Sequence, residues 1–147
     1  MKKLVLIAAI WTLLSISNGW ADSEVIGHVR IADGEIHLVR GETRKKAEIG
    51  DEVYRRDVVE TGDDGAVGIT FIDNTVFSAG PNSSIMLELY DYDSAEFKGN
   101  LLARMDRGTL SVVSGDIART SPEAMKIKTP TAILAVRGTT FLVRVED

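Results

Sequence analysis

The sequence predicts an all-β protein built from short strands and glycine-rich turns. From Val25 onward, apolar and polar residues alternate over short runs, which is typical of half-buried strands. Clusters of Gly, Asp, Asn and Pro separate these runs and mark turns. No long window carries the apolar stripe of an amphipathic helix. The pattern therefore favours a single all-β domain.

A small unit recurs along the chain and supports this fold class. It consists of a glycine followed by two apolar residues at alternate positions, and it starts at Gly27, Gly34, Gly65 and Gly108, with a shifted copy at Gly138. Glycine permits a positive φ at a corner, and the alternation turns one side of the following strand inward. The spacing is too uneven for a regular solenoid but suits a stack of strands that each start at a turn.

The first element is predicted to be a hairpin with Asp33-Gly34 as its two-residue turn. In that register, four apolar residues share the core face: Val29, Ile31, Ile36 and Leu38. His28 and His37 would then be diagonal neighbours on the polar face, about 7–8 Å apart.

Nine further strands are predicted from alternation and turn residues. They lie near Asp57–Thr61, Ala66–Ile72, Thr75–Ala79, Ile85–Tyr90, Phe97–Met105, Thr109–Ser114, Met125–Thr129, Ile133–Arg137 and Thr140–Val145. A turn is expected at Asp106-Arg107-Gly108. Gly41–Asp51 is read as a charged connection with room for a helical turn, and Ser114–Glu123 as a loop or disordered insertion.

The N-terminus has the pattern of a secretory signal peptide. Lys2 and Lys3 precede an apolar stretch, Leu4–Leu14, and Gly19-Trp20-Ala21 forms a small-residue cleavage site. An uncleaved anchor is the alternative, but the apolar stretch is shorter than the ~20 residues of a spanning helix. The sequence thus predicts cleavage after Ala21 and a periplasmic or secreted domain, residues 22–147, with no membrane insertion.

Charge and cysteine content exclude several classes of function. The formal net charge of −5 becomes −7 when Lys2 and Lys3 leave with the signal peptide. Such a surface repels phosphate backbones, which argues against nucleic-acid binding. The chain has no cysteine, so it forms no disulfide, thiolate metal site or acylated cysteine.

The sequence predicts no catalytic, cofactor or metal site. His28, His37 and nearby Glu35 make an incomplete ligand set for zinc or copper. Asp91–Glu96 alternates oxygen ligands but fails the calcium-loop template, so an acidic hairpin tip is expected there. The glycine-loop, nucleophile-elbow and zinc-helix motifs of common enzymes are missing from the sequence.

The stretch from Ile127 to Val145 is unusual because Pro and Arg-Gly interrupt an apolar run. Thr129 and Thr139 are conceivable nucleophiles with Arg137 as oxyanion partner, but no general base stands near them in the sequence. The structural interpretation is simpler: Pro130 ends a strand, Gly138 reverses the chain, and Arg137 ties loop carbonyls or a carboxylate. The expected core residues are Ile133, Val136, Phe141, Val143 and Val145.

This stretch also resembles the closing motif of FecR-type periplasmic domains, in which T-P-x-[AG] leads to V-R-G-T-x-F-x-V. The matching residues are Thr129, Pro130, Ala132, Val136, Arg137, Gly138, Thr139, Phe141 and Val143. Gly27–Leu38, Gly50–Val53, Asp57–Gly62 and Ala66–Phe77 resemble the family's other segments in order. The resemblance implies an all-β module, solenoid-like or sandwich-like, that works through protein contacts.

Family members that resemble iron-dicitrate sensors join a cytoplasmic anti-sigma segment and a membrane helix to a periplasmic part. That part receives a signal from an outer-membrane TonB-dependent transporter. Here the predicted signal peptide takes the place of the anti-sigma segment and anchor. The resemblance therefore implies an exported, non-catalytic domain that binds an envelope protein.

Two other classes of function stay open. One is a polysaccharide or small-ligand binding module of the cell envelope, with Tyr54, Tyr90, Tyr92 and Phe97 as an aromatic platform. The other is a metal-dependent enzyme, which ranks last because its ligand set is incomplete.

Overall fold

The structure, a computed structural model, describes residues 24–138 and 140–146. Strands make up 61% of the described residues and helix 4%, so the predicted all-β class is confirmed. The predicted signal peptide, residues 1–21, lies outside the described residues. The elements are β1 (Val25–Asp33), β2 (Ile36–Arg40), β3 (Thr43–Lys46), β4 (Glu52–Tyr54), β5 (Val58–Thr61), β6 (Ala66–Phe71), β7 (Val76–Ala79), β8 (Ser84–Asp93), β9 (Lys98–Val113), α1 (Asp116–Thr120), β10 (Met125–Lys128), β11 (Ile133–Ala135) and β12 (Thr140–Val145).

These strands form a continuous sheet that curls around the core as a half-barrel. Its order is β3-β2-β5-β8-β9-β7-β6-β1-β4; β10 and β12 also pair with β9, and β11 pairs with β10. The front layer consists of β1, β4, β6, β7, β12 and the second half of β9. The back layer consists of β2, β3, β5, β8, β10, β11 and the first half of β9. Because side chains of both layers meet in one core, the fold is nearer to the sandwich-like form than to a solenoid.

The predicted hairpin between the first two strands is wrong. β1 pairs with β4 and β6, whereas β2 pairs with β3 and β5, so the chain crosses from the front layer to the back layer at Gly34. A bulge between Val29 and Ile31 also breaks the alternation, and Ile31 is 56% exposed instead of facing the core. His28 and His37 consequently lie in different layers.

The turn predicted at Asp106-Arg107-Gly108 is also wrong. β9 continues through these residues and pairs with β8 before them and with β7 after them. Gly108 has φ +98°, and this left-handed residue lets the strand pass from the back layer to the front layer without ending.

Both connections that were expected to be irregular contain regular structure. Gly41–Asp51 includes β3, whose fully exposed side chains hid its strand pattern. Ser114–Glu123 includes α1, whose Ile117 is fully buried in the core. A helix of five residues is too short to show apolar periodicity. The other strands, β5 to β8 and β10 to β12, lie within a few residues of their predicted positions.

Over residues 24–138 and 140–146, none of the helical structure is long and apolar enough to cross a membrane.

Candidate functional site

The residues of the closing motif surround the branch of strands β10 to β12. Thr129 and Pro130 form the tip of the β10–β11 hairpin, where the Thr129 N–H donates to the Ala132 carbonyl at 2.8 Å. The Ala132 N–H in turn donates to the Thr129 hydroxyl at 3.1 Å. β10 ends at Lys128, two residues before Pro130, and Pro130 is exposed.

The second part of the motif links β11 to β12. Val136 is buried and donates its N–H to the Met125 carbonyl at 2.9 Å. The exposed Arg137 guanidinium lies 3.4 Å from a carboxylate oxygen of Glu123. Gly138 has φ +104°, and its carbonyl accepts a hydrogen bond from the Ser114 hydroxyl. Thr139 lies outside the described residues.

Core packing of this region departs from the prediction at one residue. Val136 and Val143 are buried, and Phe141 and Val145 are partly buried against the core, as expected. Ile133 is 64% exposed. It lies opposite Lys128 of β10, which is exposed, and residues directly opposite each other in antiparallel strands share a face, so Ile133 is on the solvent face.

A cleft opens between β11 and β12. β10 and β12 pair with the same flank of β9, since β8 and β7 occupy the opposite flank, and β11 pairs with β10. The cleft has a volume of about 450 Å³ and is lined by Asp106, Thr129, Pro130, Thr131, Leu134, Val143, Arg144, Val145 and Glu146. We call it the C-terminal cleft.

Two free strand edges border the C-terminal cleft. β11 pairs with β10 and β12 pairs with β9, and in the described part of the chain neither strand has a partner on its other side. A free edge carries unpaired backbone donors and acceptors that can bind a further strand. Leu134 is 39% exposed and gives the cleft an apolar contact. The cleft thus combines strand edges that can pair with a further strand and an exposed apolar side chain, Leu134.

The outer edge at β3 is different because it is protected by charge. All four residues of β3 are exposed, and they include Arg44, Lys45 and Lys46. Lysine on an edge strand discourages pairing with another chain, since docking would bury its charge. The C-terminal edges lack this protection along β11.

A groove of about 510 Å³ lies between the two ends of the sheet, but its cations are already paired. Arg40 donates to the Asp57 carboxylate, and the Lys45 ammonium donates to Asp51 at 2.8 Å. The Arg40 hydrogen bond to Asp57 raises the pKa of the guanidinium. The hydrogen bond from Lys45 lowers the pKa of Asp51. These contacts hold the two ends of the sheet together. Both cations that line the groove, Arg40 and Lys45, therefore already have carboxylate partners.

A buried polar cluster fixes α1 to the sheet. The Asp73 carboxylate accepts hydrogen bonds from the Tyr90 hydroxyl at 2.9 Å and the Thr75 hydroxyl at 2.7 Å. The Ile117 N–H, in α1, donates to the same carboxylate at 3.3 Å. Burial raises the pKa of Tyr90, and the neighbouring Asp73 carboxylate adds to the rise. Each group of the cluster is hydrogen-bonded within the fold, which is the usual state of buried polar groups.

The aromatic platform predicted for a polysaccharide site is not assembled. Tyr90 is 1% exposed and stacks on Phe71 in the core, with ring centroids 5.5 Å apart. The Tyr92 hydroxyl donates to Asp116 at 2.7 Å, and Tyr54 lies under the Arg40 guanidinium. A platform needs aromatic faces that are open to a sugar, so Tyr90 cannot belong to one.

The histidines do not form a metal site either. They lie in different layers, and the described residues contain no group of three or more His, Asp or Glu side chains placed to hold a metal ion. Sequence reasoning missed Leu134 and the edge position of β11. The apolar pair Ile133-Leu134 is visible in the sequence, but such a pair also fits a core strand, which is what the sequence predicts there.

Comparison with known proteins identifies the family. The family model described as FecR protein matches residues 57–147, which include the C-terminal cleft and the closing motif. No curated protein and no solved structure matches the chain. FecR proteins are a regulatory, non-enzymatic family, and their domains are typically periplasmic. Since the match covers more than half of the sequence, this chain belongs to the FecR protein family.

Proposed function

We propose that this protein is an exported, non-catalytic interaction domain whose C-terminal cleft binds an extended segment of an envelope protein. The observation that carries the proposal is that, among the described residues, two free strand edges lie on either side of one cleft whose mixed lining includes the apolar residues Leu134 and Val145. An extended peptide can add to such an edge through backbone hydrogen bonds, while its alternate side chains enter the pocket.

The chemistry of the cleft describes the segment that would fit. Leu134 and Val145 favour an apolar side chain in the cleft. Asp106, Arg144 and Glu146 also line the cleft, so its wall has two acidic side chains and one basic side chain. The whole chain is acidic as well, with a net charge of −5. We therefore expect a strand with apolar residues at alternate positions and a basic flank, which the acidic surface would attract.

Site-specific photocrosslinking in living cells tests this proposal. A photoreactive amino acid replaces Leu134 in one variant and Ile49 in a control variant. Ile49 is 69% exposed and lies outside the cleft. The proposal predicts a discrete covalent adduct with one envelope protein at position 134 and no such adduct at position 49. Absence of an adduct at 134, or the same adduct at both positions, would contradict it.

Mass spectrometry of the adduct then defines the partner segment. An extended segment with apolar residues at alternate positions supports strand addition. A crosslink to a helix or to a glycan would contradict it and would favour a different kind of binding module.

A further inference from the structure

The outer surface of the front layer contains a row of small residues with a large apolar residue at each end. The strand register places five residues side by side across β12, β9, β7, β6 and β1, namely Leu142, Ser111, Ser78, Gly68 and Ile31. Leu142 is 66% exposed and Ile31 is 56% exposed. Because the sheet curls around the core, small residues in the middle and large ones at the flanks make its convex outer surface more level.

The neighbouring row contains no acid, lysine or arginine. It consists of Thr140, Val113, Val76, Thr70 and His28. We call these two rows together the neutral face. The one charged residue beside them in β1 is Arg30, the exposed residue of the bulge between Val29 and Ile31. Such a face is notable in a chain in which 27% of the residues are charged.

The outer surface of the back layer has the opposite character. Ion pairs cross it, including Arg44 with Glu60 at 3.5 Å and Arg104 with Glu88 at 3.2 Å. Charged surface of this kind is well solvated and is costly to bury in an interface. The neutral face can be covered without that cost.

A third row completes the pattern with one charge at each end. Arg144 lies opposite Thr109 in β9, and Asp33 lies opposite Ala66 in β6. The Gly80 N–H donates to the Thr109 carbonyl at 3.0 Å, which connects the row through the end of β7. Arg144 and Asp33 therefore stand at equal distances from β7, two strands away on opposite sides.

This arrangement is complementary to itself. A two-fold axis that runs parallel to the strands, in front of the outer surface of β7, would place Leu142 of one copy on Ile31 of the other. The same axis would place Arg144 on Asp33 and Ser78 on Ser78. An isologous interface needs such a match, because each residue meets a residue of the same surface. Sheets that pack with nearly aligned strands are a common arrangement.

We propose that the neutral face binds a second copy of this chain around that two-fold axis. Five strands and six residues span about 24 Å by 20 Å, so the two copies bury roughly 1,000 Å² in total. This area is at the lower limit of specific interfaces, and we expect a dissociation constant of about micromolar size. The acidic copies repel one another, so added salt strengthens the dimer, apart from a small loss at the Arg144–Asp33 pairs.

Sedimentation velocity of protein purified from cells that express the full chain tests the proposal, from about 1 to about 200 µM. The wild type should shift from monomer to dimer over this range. Arg144→Asp and Asp33→Arg should each weaken the dimer at least about tenfold, since each opposes like charges. The combined variant restores opposite charges and should recover the wild-type constant. Glu42→Arg, which has the same charge change as Asp33→Arg on an exposed turn of the back layer, should leave dimerisation intact.

A wild type that stays monomeric throughout would overturn the proposal. So would single variants that dimerise normally, or a combined variant that fails to recover. Circular dichroism confirms that each variant is folded.

A second readout locates the axis. The chain has no cysteine, so Ser78→Cys introduces a unique thiol at the expected axis. A short bismaleimide should join two Ser78→Cys copies rapidly, whereas Ile49→Cys copies should remain single. Equal crosslinking of the two variants would contradict the arrangement. Arg144 lines the C-terminal cleft, whereas Ser78 and Asp33 lie outside it. The Asp33→Arg and Ser78→Cys readouts therefore test this inference independently of the proposed partner binding.

Discussion

The Arg40 guanidinium donates two hydrogen bonds, each 2.7 Å long, to the two carboxylate oxygens of Asp57. Asp57 is fully buried, whereas about half of the Arg40 side chain is exposed. The Asp57 carboxylate also accepts the Tyr54 N–H at 2.9 Å, and the Tyr54 ring lies 4.0 Å from the guanidinium carbon. Arg40 belongs to the back layer and Tyr54 to the front layer, so this group of residues joins the two ends of the curled sheet.

Replacing Arg40 should destabilise the fold because Asp57 would keep a buried charge without its cation. We expect Arg40→Ala to lower the free energy of unfolding by about 2–4 kcal/mol, allowing for the exposure of Arg40. Arg40→Lys should cost about 1–2 kcal/mol, because lysine cannot form the two parallel hydrogen bonds. Urea unfolding measures both values, with the exposed Arg30→Ala as control. An Arg40→Ala variant as stable as this control would contradict the assignment.

The Asp73 cluster should be equally important for stability. Asp73→Ala removes the acceptor of the Tyr90 and Thr75 hydroxyls and of the Ile117 N–H. These donors would be buried without partners, so we expect a loss of about 3–5 kcal/mol. Thermal unfolding should show a lower midpoint for this variant, while Asp63→Ala, at an exposed turn residue, should match the wild type.

Two glycines with positive φ should respond differently to alanine. A Cβ on Gly108 would lie 2.4 Å from the Ser83 Cα, and its φ of +98° is strained for alanine. We expect Gly108→Ala to cost about 3 kcal/mol or more, since β9 must bend there. Gly41 has φ +58° and open space around its Cβ position, so Gly41→Ala should cost only about 1 kcal/mol. Chemical unfolding of both variants checks the difference, and equal losses would contradict the role of Gly108.

Ionisation of the tyrosines should be delayed in the folded protein. Partial burial and a hydrogen bond to Asp116 raise the pKa of Tyr92 to about 12. The pKa values of Tyr90 and Tyr54 are also raised, by burial and by the hydrogen bond to Glu52 respectively. A raised phenol pKa stabilises the fold fully below the ordinary value of about 10, and this contribution is lost as pH rises through 10 towards 12.

The ultraviolet absorbance of tyrosinate measures this delay. At about pH 11, the folded protein should show clearly less tyrosinate than the same protein in urea. Identical titration curves for the folded and unfolded chains would contradict the assigned environments of these side chains.

The sequence predicted local features of this fold better than the pairing of its strands. Alternation placed β5 to β8, β10 and β12, because each of these strands has one face in the core, and the position of β11 was also predicted although its three residues are exposed. Asp33-Gly34 looked like a hairpin turn, but Gly34 instead carries the chain between layers. An Asp-Gly pair suits a hairpin turn and a crossing between layers equally well. Which strands pair was decided by long-range contacts that no local pattern contains.

The C-terminal cleft was hidden from the sequence for a related reason. The apolar residues of β11 read as a core strand, because apolar composition does not reveal whether a strand is central or at an edge. Ile133 is exposed because it lies opposite the exposed Lys128 on the solvent face of the β10–β11 pair. The closing motif did point to this region, through its resemblance to FecR-type domains.

If a partner segment adds as a strand at the C-terminal cleft, it should protect the backbone amides of the free edges, which amide hydrogen exchange measures. The protein is measured alone and with a synthetic peptide of the segment that the Leu134 photocrosslink identifies. We expect slower exchange of amides in Ile133–Ala135 and Thr140–Val145, the two free edges, and unchanged exchange in Thr43–Lys46 at the opposite edge. Protection confined to Thr43–Lys46, or no protection while the peptide is bound, would contradict it.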